Sequence, residues 1–208
     1  MKNVLRLFIV VLLLGLSVNS FAQATFGVKA GLNLSNMVMK DDDNTSSEPK
    51  TKPGFNFGPT IEIPITDMFS FESALLLSTM GAKYESDGEK GSVNLLYLNL
   101  PLTAKAKFDL GGIQLFGALG PYLAYGMSGK IKMDGEDDYT VKWGSGDDDD
   151  FKPFDAGLHL GAGVGINAIE IGLTYELGMA SLSTYTENGY KELNRCLAIS
   201  LGYKFGKK

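Results

Sequence analysis

Residues 95–108 read LLYLNLPLTAKAKF. Leu96, Leu98, Leu100, Leu102, Ala104, Ala106 and Phe108 share one parity, and Tyr97, Asn99, Pro101, Thr103, Lys105 and Lys107 share the other. Successive side chains of a strand point to opposite faces, so the stretch predicts a strand that is apolar on one side and polar on the other. It is longer than the usual ~5–6 residues. The same period recurs on both sides of it. Upstream it covers residues 24–35, with Phe26, Val28, Ala30, Leu32 and Leu34 in phase, and residues 55–65. A less regular run at 69–84 carries Phe71, Leu75 and Leu77. Downstream it covers 113 to about 132, 154–166, 169–181 and 193–205. These runs predict eight strands.

The connections alternate in length. Segments 37–53, 85–91, 133–153 and 184–192 are polar and long, whereas 66–68, 109–112 and 167–168 are short. Gly111 and Gly112 suit a tight turn because glycine reaches positive φ without penalty. An even strand number with alternating connections is the pattern of a bacterial outer-membrane barrel, whose strands also leave no open edge in lipid.

The N-terminus fits export. Lys2 and Arg6 precede an apolar run at 7–16, followed by Ser20-Phe21-Ala22. This reads as a signal peptide of residues 1–22, cleaved after Ala22, ahead of a barrel domain of residues 23–208. The apolar run is shorter than the ~20 residues of a spanning helix. No Cys follows the cleavage site, so no lipoprotein anchor is expected, and Cys196, standing alone, can form no internal disulfide. The formal net charge is −5, which argues against a nucleic-acid partner.

Periodicity alone does not say which face is inside. Gly27, Gly31, Gly58, Gly120, Gly157, Gly161, Gly163, Gly165, Gly172, Gly178 and Gly202 all fall on the polar parity. On a solvated outer face they would weaken strands for no gain. Within a barrel of about eight strands, where side chains only just fit, they leave room for larger neighbours. The inward set is therefore Lys29, Glu62, Glu72, Lys105, Lys107, His159, Glu170, Glu176 and Lys204. It is expected to be a structural set of paired charges in a closed lumen, because buried charges must be paired. A small-solute pore, and a soluble exported lipocalin-like carrier with its apolar face inward, stand as alternatives.

No catalytic residue, cofactor or metal ligand is assigned. His159 is the only histidine, with no nucleophile or second ligand nearby in sequence. Cys196 reads as a small buried residue. The acidic residues Asp41, Asp42, Asp43 and Glu48, and Glu136, Asp137, Asp138 and Asp147 to Asp150, lack EF-hand spacing and are expected to be solvated, mobile loop. Phe69, Tyr84, Tyr185, Tyr203 and Phe205 suit the aromatic girdles of a membrane barrel. Pro101 and Pro121 cannot donate to a ladder, and a shared bulge with Gly120 is expected where they meet.

Four motifs carry a family resemblance. Tyr97-Leu98-Asn99-Leu100-Pro101-Leu102 with Lys105 resembles a strand of the PorT-like outer-membrane barrels of the Bacteroidetes. Gly120-Pro121-Tyr122 with Tyr125, Gly27 to Asn33, and Gly202-Tyr203-Lys204-Phe205 are similar to further motifs of that family, in the same order. Glu176 departs from it, standing where members often carry Arg. Together with the periodicity, the resemblance implies an all-β fold, a closed antiparallel up-and-down transmembrane β-barrel of about eight strands. It implies a non-enzymatic structural or recognition protein in the outer membrane, with N- and C-termini periplasmic. The expected partners are outer-membrane lipid, the outer-membrane assembly machinery and an unidentified protein meeting the outward loops.

Overall fold

The computed structural model describes residues 24–40, 46–47, 49–86, 89–135, 137–146, 148–185 and 189–206. The expected leader, and Asp41, Asp42, Asp43, Glu48, Glu136 and Asp147, lie outside the described residues.

Among the described residues the strands are β1 (Thr25–Lys40), β2 (Ser46–Ser47), β3 (Lys52–Pro64), β4 (Phe69–Ala74), β5 (Leu76–Ser86), β6 (Glu89–Asp109), β7 (Ile113–Met133), β8 (Tyr139–Thr140), β9 (Phe154–Ile166), β10 (Ile169–Gly178) and β11 (Lys191–Lys204). β4 and β5 are one wall strand interrupted at Leu75, which explains the irregular run seen in sequence. β2 and β8 are short additions to β1 and β7. The rest form eight antiparallel wall strands, and β1 closes the ring by pairing with both β3 and β11. Followed through the pairings, and across the gap at Gly120 and Thr103 where the β6–β7 register is the same on either side, Ser35 leads to Cys196, Glu176, His159, Gly120, Thr103, Glu72, Glu62 and back to Thr25. The ladder thus returns ten residues from its start, a stagger suited to strands tilted by about 35–45°.

The apolar parity faces outward. Phe57 is 55% exposed and Leu173 51%, with Phe26, Leu32, Leu119, Leu160, Ile171 and Ile199 in the same band. A barrel whose outer face is hydrocarbon-like is matched to lipid, and a carrier with its apolar face inside is overturned. The short turns and both described chain ends share one end, here the turn end. Leu110 N donates to Ile113 O at 2.8 Å, with Gly111 at φ 76° and Gly112 at 108°. β6 and β7 each run 21 residues. At ~3.3 Å per residue and a tilt near 40°, they rise about 50 Å, twice a ~25 Å apolar band. The wall therefore projects well past the band at the opposite, loop end.

Three expectations are corrected. The polar segment 85–91 is strand for most of its length, with β5 and β6 paired up to Ser86 and Glu89. Tyr84 belongs to no girdle; its parity is inward and its hydroxyl meets Met37 Sδ at 3.9 Å. The bulge is not at the prolines. Pro101 pairs with Tyr122, and the register is unchanged on either side of Gly120 and Pro121, although those two residues are left out of the ladder. Gly120 lies so close to β6 that a Cβ there would stand 2.0 Å from Leu102 O, so absence of a side chain resolves the crowding that a bulge would otherwise relieve. The register shift lies between Leu96 and Tyr97, opposite Met127.

Candidate functional site

The interior is built in tiers. Nearest the turn end is an ion cluster. Glu62 on β3 and Glu72 on β4 are direct cross-strand partners, an arrangement of like charges that repels unless cations intervene. Lys105 on β6 intervenes. Its ammonium lies 3.3 Å from Glu62, 2.6 Å from Glu72 and 2.9 Å from Glu170 Oε2, and its side chain is 0% exposed. It also sits 4.1 Å above the Phe116 ring. Lys204 binds Glu62 and lies 2.5 Å from Glu170, Lys107 is 2.7 Å from Glu62, and Lys29 is 3.2 Å from Glu72. Glycine makes the space: Glu170 is flanked across the sheet by Gly165 and Gly202.

The carboxylates of Glu62, Glu72 and Glu170 converge within 4.8 Å, a spacing that suits a metal ion. Two ammonium groups already occupy that role, so the protein supplies its own cations there.

Above the cluster, His159 Nδ1 lies 3.0 Å from Glu176 Oε1, and Asn99 donates to both oxygens of Glu176 at 2.9 and 3.0 Å. All nine residues named from the sequence thus face the interior, seven in the ion cluster of the first tier and two, His159 and Glu176, as the pair above it. Two cavities of about 20 Å³ each flank these tiers. Each has room for about one water and none for a substrate.

Sequence reasoning missed the next two tiers. Asp155 is fully buried and accepts from Tyr122 Oη at 3.2 Å and Asn194 Nδ2 at 2.9 Å; Asn194 also donates to Tyr97 at 3.4 Å. Over this lies an apolar plug. Met37, Met80, Val93 and Leu95 occupy the inward parity but are apolar, and Val141, Phe151 and Leu182 descend onto them from the loop end. Trp143 packs edge-on against Tyr97 with centroids 5.6 Å apart and lies tilted against Phe151 at 6.3 Å. A Cβ on Gly126 would collide with the Trp143 ring at 2.5 Å, so that glycine is the seat of the indole.

The acidic loop is consequently not the free, solvated segment expected. Asp149 Oδ2 accepts from Gly146 N at 2.8 Å and Asp150 Oδ2 from Lys142 N at 2.7 Å, folding residues 142–146 and 148–151 into the mouth. The readable signal was the switch of the inward parity from Lys and Asn to Met37 and Leu95 at the strand ends.

A closed antiparallel barrel with a hydrocarbon-like outside and a charged inside is a membrane-spanning barrel of the outer-membrane type. The chain belongs to the family described as outer membrane protein beta-barrel domain, whose model matches residues 21–184. Solved structures similar to it include Ail, the attachment invasion locus protein of Yersinia pestis, determined with the heparin analogue sucrose octasulfate. That chain is 15% identical, with 88% of this chain and 99% of Ail covered and a TM-score of 0.44. Neisserial surface protein A gives 14%, 88%, 99% and 0.44. The outer membrane protein OprG of Pseudomonas aeruginosa gives 14%, 88%, 96% and 0.45. No curated protein matches the chain in sequence.

Proposed function

We propose that this chain is a non-enzymatic integral outer-membrane protein of the PorT-like kind, with a structural or recognition role. In this reading its lumen is closed, its termini lie in the periplasm and its loop end faces outward. One observation supports the reading: among the described residues, paired charges, a hydrogen-bonded tier and an apolar cluster occupy the inward side of the wall, and the two cavities that flank the charged tiers hold about 20 Å³ each. Such an interior holds the barrel together and offers neither a path for solutes nor a place for chemistry. Recognition then falls to the projecting loop end, toward an outer-membrane lipid or protein partner, after insertion by the assembly machinery. The alternating connection lengths support the orientation.

The test is labelling of intact cells. Cysteine placed at Lys142 should react with an impermeant maleimide, and cysteine placed at Leu110 should react only after the outer membrane is breached. The opposite pattern overturns the orientation.

A further inference from the structure

We infer that the outer face of β3, β5, β6 and β7, just beyond the apolar band, binds a phosphate-bearing headgroup of an outer-leaflet lipid. The inference rests on the orientation proposed above. Lys50 bridges to Lys83, Lys83 pairs with Ser92, and Ser92 pairs with Lys132, so three lysines stand in one row across four adjacent strands. Lys130, opposite Asn94, stands in the row below. All four side chains are exposed, Lys130 by 61% and Lys132 by 54%.

Beneath them is an open groove of about 450 Å³. Lys52, Lys130 and Lys132 line its polar rim, and Phe55, Pro53 and Leu96 line its apolar floor. The floor continues into the lipid-facing band through Phe57 and Leu77. A greasy floor joined to a cationic rim complements a lipid, whose chains and phosphates are joined in the same order. Among the described residues, two acids pair with this rim. Glu85 pairs with Lys50, and Asp138 lies 2.9 Å from Lys132 and 3.9 Å from Lys130. Asp134 and Asp137 sit in the turn above. Among the described residues, the four exposed lysines outnumber the two acids, Glu85 and Asp138, that pair with them.

The bulge at Met127 creates the site. Inward residues of β7 are Tyr122, Ala124 and Gly126 before it, and Gly129 after it. The one-residue shift turns Lys130 and Lys132 out toward lipid.

The experiment uses the whole protein in nanodiscs of phosphatidylcholine with added diphosphoryl lipid A. Retention of lipid A is read by native mass spectrometry. The wild type should retain it and should lose it as sodium chloride rises, because screening weakens exposed charge pairs. The combined variant Lys50→Gln, Lys83→Gln, Lys130→Gln, Lys132→Gln should bind at least about tenfold more weakly, each basic group near an anionic surface contributing about a fivefold factor. Asp138→Asn should bind more tightly than wild type, since it releases Lys132. Equal binding by the combined variant, equal binding of dephosphorylated lipid, displacement by inorganic pyrophosphate, or indifference to salt would each overturn the site. Binding is measured in isolated discs, so its failure leaves the cell-labelling result, and hence the orientation, standing.

Discussion

Lys105 shows what one residue can hold. Its ammonium is the only group that reaches Glu62, Glu72 and Glu170 together among the described residues. Removing it takes the central cation from three carboxylates in a dry interior and leaves Lys204, Lys107 and Lys29 at the edge to balance them, which costs more than the pairing itself contributes. Lys105→Met should therefore lower stability by about 3–5 kcal/mol. Lys29→Met, which loses one acid and stands partly open to solvent, should cost clearly less. Urea unfolding of both variants refolded into vesicles checks the ranking; equal losses would mean that the cluster does not depend on its central cation. Asn33 makes a second case. Its Nδ2 meets Phe55 O at 3.1 Å and Thr79 O at 3.0 Å, and its Oδ1 accepts from Asn56 at 2.6 Å. β3 and β5 pair directly only at Asn56–Ser78 and Phe57–Leu77, so this amide stands in for ladder bonds that the backbone lacks. Asn33→Ala should cost about 1–3 kcal/mol by leaving carbonyls unmet. It should also speed hydrogen exchange across 78–81 more than across β9 and β10.

The strands were legible element by element because period-two alternation is a direct image of the pleat. β9 matches the run at 154–166 in full. What was not legible lies where side chains act on more than their own strand. The interruption at Leu75 and the bulge opposite Leu96 depend on cross-strand registers, which a single strand's parity does not contain. Pro101 and Pro121 create no bulge because the missing side chain of Gly120 lets the two strands approach there, a space that parity alone does not reveal. Gly120→Ala should block folding or cost several kcal/mol, since its Cβ would meet backbone 2.0 Å away, whereas Gly117→Ala, with nothing closer than 4.0 Å, should be tolerated. Heat-modifiable gel migration distinguishes the two.

For the molecule as a whole, the inward charges were legible and their partners were not, because pairing across a barrel joins residues up to 142 positions apart. The plug was invisible for the same reason: Trp143 and Phe151 sit in a stretch rich in aspartate, and only the closed wall brings Tyr97 and Met80 beneath them. The plug should matter locally. Trp143→Ala should cost about 3–5 kcal/mol at the mouth and expose residues 139–152 to protease while the turn-end half stays intact. The chain has one tryptophan, so wild-type emission should be blue-shifted and poorly quenched by iodide, and should lose both features when the mouth opens. In planar bilayers the intact protein should show no conductance steps, and a steady ohmic current would overturn the closed lumen.

The unpaired Met127 acts as a sign change for everything beyond it on its strand. Cutting it out would remove the residue and the shift together: Gly126 and Ser128 would become neighbours opposite Tyr97 and Leu96, Gly129 and Ile131 would stay inside, and Lys130 and Lys132 would stay outside. What the strand cannot have is its present length with an unbroken ladder, because pairing Met127 in turn would carry both lysines beneath the indole.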